Sequence, residues 1–305
     1  MMVFVMGLEK PAAQPVEVTN YAPEQARWYC DQLERGQVLM FRSLPFEFPD
    51  QDRKFLLSRP AAESRFHKNI SYRPVSGLVR GFADATDREN LRRVMRGFSE
   101  QAAGFIARFL SPYAPQLRLD FASFRPLEEQ ERDLPLHKRN DLLHVDAFPT
   151  RPTRGARILR LFVNINPTGR RVWNVGAPFH SFVPEILRAR QLNPPGRGKA
   201  ARTLARIGGT FGLAVADRSR YDEYMLFLHD WLKENSDFQK TSPKREIVFP
   251  PGSCWMVFTD GVPHAVVSGQ FALEQTCIIP IQVLVSPEAA PLRVLEAATG
   301  EALVN

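Results

Sequence analysis

The sequence predicts a mainly β protein with helices: an antiparallel β core, preceded by a helical flank and split by a helical insert. Two textures carry that reading. From about 117 to 180, and again from about 246 to 290, short apolar and aromatic runs such as "RLDFASFRP", "LLHVDAFP", "RILRLFVNINP" and "RVWNVG" are separated by Pro, Gly and Asn. Before about 116, and from about 181 to 245, apolar residues recur at helical spacing instead. The 305 residues can bury a full core, so one domain over 1–305 is expected.

Taken in order, the flank opens with a helix after Pro23, then the strand-like "QVLMFRSLPF". "ATDRENLRRVMRGFSEQAAGFIARFLSPY" is the clearest helix. Leu91, Val94, Met95, Phe98, Ala102, Phe105, Ile106 and Phe109 share one face, and Thr86 or Asp87 can cap it. In the insert, "RYDEYMLFLHDWLKEN" is the firmest helix. Strand texture resumes at "REIVFPPGSCWMVFTDGVPHAVVSGQFALEQTCIIPIQVLV". No internal repeat or low-complexity tract is present.

Cys30, Cys254 and Cys277 fit neither a metal-knuckle spacing nor a disulfide framework, which points to a reducing, cytoplasmic setting. The start "MMVFVMGLEK" lacks a basic region and meets Glu9 early, so it is a poor signal peptide. No apolar run approaches the roughly 20 residues of a membrane span. The net charge of +7 is unevenly spread. Between 147 and 216, twelve basic residues (Arg151, Arg154, Arg157, Arg160, Arg170, Arg171, Arg188, Arg190, Arg197, Lys199, Arg202 and Arg206) face one acid, Glu185. Either distant parts of the fold supply the counter-charges, or this stretch meets a polyanion.

His144 and Asp146 form a His-X-Asp pair in "LLHVDAFPT". Alone, the pair reads as a half-buried histidine and a turn-forming aspartate. His264, opening a strand after the Asp260–Gly261 turn, offers a third ligand. Two imidazoles and one carboxylate hold one face of an ion and leave other positions open, as non-haem Fe(II) oxygenases require. Hydrolytic zinc sites use the same donor set. A keto-acid co-substrate would need a buried cation. The strand after His264 offers none before Arg293, and Gln275 stands where one would be hoped for. Alternation places Arg160 and Asn164 on one face of their strand, which makes Arg160 the first choice and Arg125 the second.

At this point the chain resembles the Kdo 3-hydroxylases. The strings that carry the likeness are "LHVDAFPTRPTRGARILRLFVNINP", "RVWNVGAPF", "RSRYDEYMLFLHDWLK" and "FPPGSCWMVFTDGVPHAVVSGQFALEQT", with "KNISYRP" and "GLVRGF" upstream. The resemblance implies a double-stranded β-helix (jelly-roll, cupin-like) and an Fe(II)-dependent dioxygenase using 2-oxoglutarate and O2. It implies hydroxylation of carbon 3 of 3-deoxy-D-manno-oct-2-ulosonic acid (Kdo) on lipid A, with His144, Asp146 and His264 on the iron. Arg171, Trp173, Asn174 and Asp260 are candidates for the substrate wall, Trp173 being equally a core residue. A membrane glycolipid substrate implies peripheral contact with the inner membrane, and the charge map suggests the Arg188–Arg206 part of the insert for docking. No nucleic-acid partner is expected. The rival readings are a related hydroxylase of another anionic sugar or lipid, and a non-catalytic lipid-A-binding jelly roll.

Overall fold

The structure is a computed structural model that describes residues 11–19, 22–59, 69–128, 135–190 and 217–304. In the flank, β1 (Pro15–Glu17), α1 (Ala26–Glu34), β2 (Val38–Phe41), α2 (Asp50–Leu57), β3 (Ile70–Arg73) and β4 (Leu78–Arg80) precede the long α3 (Arg88–Phe109). The core follows with β5 (Arg118–Arg125), β6 (Arg157–Asn164) and β7 (Arg171–Val175). The insert holds α4 (Phe179–Arg190), α5 (Arg220–Glu234) and α6 (Ser236–Thr241). Then come β8 (Arg245–Phe249), β9 (Cys254–Phe258), β10 (His264–Ser268), β11 (Ala272–Ile279) and a closing helix, α7 (Pro291–Thr299).

Two sheets form a sandwich. The larger has the order β1-β2-β9-β6-β11-β5-β3-β4, and the smaller β10-β7-β8. All neighbours are antiparallel except β1 with β2. Between the sheets, Phe162 meets Trp173 edge-on at 4.8 Å and Phe249 stacks on Trp255 at 3.8 Å. This inner core therefore draws on strands far apart in sequence. It closes the antiparallel β core that the strand texture suggested, in the jelly-roll form that the resemblance implied.

The outer face of the large sheet is covered by α3, whose eight predicted core residues are all buried. They pack with Ala122, Phe124, Leu161, Leu273 and Met256 from the strands beneath. Burying each of the larger of these side chains contributes roughly 1.5–3 kcal/mol. The helix starts at Arg88 with Asp87 in the N-cap position, one of the two expected, although the Asp87 side chain makes no capping bond. Asp84 caps the preceding 3-10 turn by accepting from the Thr86 backbone N–H. A third layer unites α4, α5 and α7 around Phe179, Val183, Leu228 and Leu295. Val145, between the two motif residues, is buried in that layer and ties the motif to the helices.

One feature goes beyond expectation. The flank supplies more strand than its texture suggested, because β1–β4 form both edges of the large sheet. Those strands are short, and β2 pairs with β9 more than two hundred residues later, which no local pattern records. Of the two readings of the basic stretch, counter-charges from distant parts of the fold serve four of its described arginines. Arg151 pairs with Asp120, Arg154 with Asp217, Arg157 with Asp260, and Arg160 with Asp146 and Glu274. Arg197, Lys199, Arg202 and Arg206 lie outside the described residues. No described helix is long and apolar enough to cross a membrane.

Candidate metal centre

The segment carrying His144 and Asp146 is stitched between elements. His144 and His264 exchange backbone hydrogen bonds, at 3.2 and 3.0 Å, and Asp146 N donates to Thr259 O at 2.9 Å. An isolated antiparallel bridge thereby ties the motif to the start of β10. Because side chains alternate, His144 and Asp146 point the same way while Val145 points into the helical layer. The potential ligand atoms of His144, Asp146 and His264 all lie within 4.8 Å of one another, and all three residues are buried.

Their chemistry is preset for a cation. His144 Nδ1 is 2.7 Å from Leu142 O, and His264 Nδ1 is 2.9 Å from Val262 O. A carbonyl only accepts, so each Nδ1 carries the proton and each Nε2 keeps its lone pair. Those Nε2 atoms stand 3.9 and 4.0 Å from the Asp146 carboxylate. Burial, with His264 and Lys233 nearby, holds the His144 pKa well below its ordinary value. Burial also lowers His264, against the pull of Asp146. Burial would raise the Asp146 carboxyl, but Arg160 and the two histidines hold it below the usual carboxylate range. Two neutral imidazoles and one carboxylate result. Asp146 Oδ2 is buried and receives no hydrogen bond, although Arg160 lies 3.1 Å away. A buried carboxylate with one imidazole Nε2 near each of its oxygens fits a divalent ion, and three protein donors leave room for further ligands.

The surrounding cavity is lined by Arg125, Asn140, Arg160, Phe162, Arg171, Trp173 and Val266, together with the three metal candidates. Glu274 holds two of the arginines. Arg125 Nε donates to its Oε2 at 2.8 Å, and Arg160 Nη1 lies 3.3 Å from its Oε1. These charges keep the Glu274 carboxyl below its ordinary pKa despite burial. Arg171 Nη1 donates to Gly269 O at 2.8 Å. Trp173 stacks on His264 at 5.2 Å, so it fixes that ring as well as filling the core.

Four expected site residues fall elsewhere. Gln275 points to the outer face, where it accepts from Ser99 Oγ at 2.7 Å and donates to Asp120 O and Thr276 O. One step along the pleat, Glu274 takes the inward place. Asn164 has the inward parity but lies at the far end of the sandwich, where its Nδ2 donates to Gly169 O and Phe249 O. Asn174 alternates with the inward Arg171 and Trp173, so it faces away from the cavity. Asp260 is consumed by a buried pair with Arg157 at 2.8 Å, beneath the turn that presents His264. Sequence reasoning also missed His229 and Lys233, one helical turn apart on α5. His229 Nδ1 lies 2.7 Å from Val145 O, and its ring meets His144 edge-on at 5.2 Å. The only signal for them was the i, i+4 spacing on a helix of unknown docking.

A buried two-histidine, one-carboxylate face on a jelly roll, ringed by arginines, defines the class of non-haem metal oxygenases that take an anionic co-substrate. Comparison with known proteins narrows the class. The 3-deoxy-D-manno-oct-2-ulosonic acid (Kdo) hydroxylase family matches residues 16–302, and the chain belongs to that family. Among solved structures it is similar to the apo form of the Kdo hydroxylase KdoO, described as a non-heme Fe(II) alphaketoglutarate dependent dioxygenase. The identity is 37% and the TM-score 0.84, over 95% of this chain and 97% of that one. The KdoO complexes with alphaketoglutarate and Fe(III), and with succinate and Fe(III), match at the same identity and coverage, with TM-scores of 0.82 and 0.81. No curated protein sequence matches the chain.

Proposed function

We propose that the protein is an Fe(II)- and 2-oxoglutarate-dependent dioxygenase that hydroxylates carbon 3 of Kdo in Kdo-lipid A. The observation that carries this reading is the buried His144, Asp146, His264 set opening into a cavity lined by three arginines. With the 2-oxoglutarate and O2 it recruits, the iron supplies the oxidation of a C–H bond, releasing succinate and carbon dioxide. His144 and His264 offer Nε2, and Asp146 offers its orphaned Oδ2. Arg160 steadies the Asp146 carboxylate from one side and, with Arg125, holds the far carboxylate of 2-oxoglutarate. Glu274 sets the direction of both guanidiniums, so the cations are positioned before the co-substrate arrives.

Arg171 and Asn140 reach the cavity from other elements and are assigned to the sugar. A monoanionic sugar acid suits a guanidinium that is already fixed by Gly269 O. The glycolipid lies in a bilayer, so the enzyme works from the cytoplasmic side and touches the inner membrane peripherally. Lipid A from cells expressing the protein, read by mass spectrometry, tests the function. One added oxygen on Kdo is the expected result, and an unmodified sugar rejects it.

A further inference from the structure

On the inner face of the large sheet, a second cluster of arginines lies beyond the metal cavity. Strand register sets it out. Ser71 stands opposite both Arg80 and Ser123, and Ser123 stands opposite Glu274. Directly opposed residues share a face, so Arg80, Ser71 and Ser123 continue the inward row that includes Glu274. Arg73 lies two residues from Ser71 on that face, while Ile70, Tyr72 and Val79 point into the opposite, α3-covered core. A register shift in β5 opposite Gln275–Cys277 marks a bulge. Bulges re-aim side chains, and here Asp120 and Phe121 both engage Arg151 on the inner side.

Stacked side chains link the cluster to the metal cavity. Arg73 sits over Phe121 at 4.8 Å, and Arg151 sits over Phe121 at 4.0 Å and over Phe148 at 4.2 Å. Arg160, beside Asp146, lies over the same Phe148 at 5.7 Å. Asp120 neutralises Arg151. Arg73 and Arg80 have no acid partner among the described residues, and Arg73 Nε is buried without a hydrogen bond. A half-buried guanidinium with an unmet donor, backed by an aromatic ring, is a receptor for an anionic oxygen group.

We propose that Arg73, over the Phe121 platform, and Arg80, on the same face of the neighbouring edge strand, bind a second anionic group of the substrate, a carboxylate or phosphate on a unit next to the sugar being oxidised. This rests on the reading of the metal centre as a sugar-acid hydroxylase. β3 is three strands from β6, so Arg73 lies roughly 14 Å across the sheet from Arg160 at about 4.8 Å per strand. That is farther than one sugar ring reaches, so the ligand belongs to a neighbouring unit. The cluster would then select an extended glycolipid over free Kdo.

The test compares wild type with Arg73→Ala, Arg73→Lys and Arg80→Ala on Kdo-lipid A bearing two Kdo units. Two further arms use the one-Kdo form and a form with its lipid A phosphates removed. Losing a charge-assisted bond should raise KM about tenfold or more in either alanine variant, with kcat within twofold. Arg73→Lys should recover part of the loss, and iron and 2-oxoglutarate binding should match wild type. If the group is a phosphate, the variants and wild type converge on the dephosphorylated form. If it is the second sugar's carboxylate, they converge on the one-Kdo form. Equal KM values on all three substrates overturn the proposal, as does a loss of kcat alone. Binding of labelled Kdo-lipid A, measured in parallel, separates the two readings. A wild type that binds but adds no oxygen refutes the hydroxylase, and the variants' affinities still judge the subsite.

Discussion

The two faces of the large sheet are made by the same strands and carry opposite chemistry. On the outer face, Ala122, Phe124, Leu161 and Leu273 meet α3, and the buried amide of Gln275 has its hydrogen bonds met by Ser99 Oγ, Asp120 O and Thr276 O. On the inner face, the alternate residues Arg125, Arg160 and Glu274 form a charged cluster around an orphaned carboxylate oxygen. The outer face is locally satisfied and supplies stability. The inner face is left incomplete in a way that a metal and an anionic ligand would complete. Adjacent residues thus serve folding and chemistry separately, which lets the site keep costly buried charge on a rigid base.

The sharpest way to break this contrast is at the metal. His264→Ala removes one of three donors on the inner side and leaves the outer core intact. Iron binding and succinate release should both fall below detection, while circular dichroism and cooperative unfolding persist. Turnover at wild-type rate by this variant would remove the iron assignment. Arg160→Ala comes next. It takes away a cation facing both Asp146 and Glu274. Losing one partner of a buried charge-assisted pair costs about 3–5 kcal/mol, so the 2-oxoglutarate requirement should rise more than a hundredfold. Titration of turnover against 2-oxoglutarate measures it. An unchanged requirement would move the role to Arg125 or Arg171, which line the same cavity.

How far the sequence reached depends on whether the deciding contact is local. "HVD" and "PHA" exposed the three donor types, and strand alternation turned Arg160 inward, because both follow from spacing of two residues. Gln275 was misplaced by one residue, since a cation was sought at a position whose parity only the register with β6 and β5 fixes. Asn164 was given the right face and the wrong end of the sandwich, because parity does not report depth. Asp260 appeared available because its partner, Arg157, lies 103 residues away. The strands β1, β3 and β4, and with them Arg73, were invisible for the same reason, and β2 was legible as a strand but not as the neighbour of β9. Their pairings are long-range, and their runs are only three or four residues long.

A smaller effect tests the satisfied side. Gln275→Leu keeps the volume of the outer core but leaves Ser99 Oγ without its acceptor and removes the side-chain donor from two backbone carbonyls. The expected cost is about 1–3 kcal/mol in denaturant unfolding, with the 2-oxoglutarate requirement unchanged. A large change in that requirement, with little loss of stability, would mean that Gln275 communicates with the cavity and that the two faces are not separate.

A pH-dependent effect lies behind the motif. Lys233 is buried on α5, and its Nζ donates to His137 O at 2.9 Å. Burial pulls its pKa down from 10.5 to about 8, although Asp146, Asp230 and Asp141 favour the charge. The sign follows from proton counts. Between about pH 8 and 10.5 the unfolded chain holds a proton that the folded chain has lost, so stability from this group rises with pH across that window. Below about 8 both states are charged, and the native state bears the full burial cost. Lys233→Met should therefore be more stable than wild type at pH 7, with the advantage shrinking toward pH 10.5. Urea unfolding of the metal-free proteins across that range measures the difference. Parallel curves would show that the ammonium is not desolvated, and that α5 presses on the back of the motif through His229 and Val145 alone.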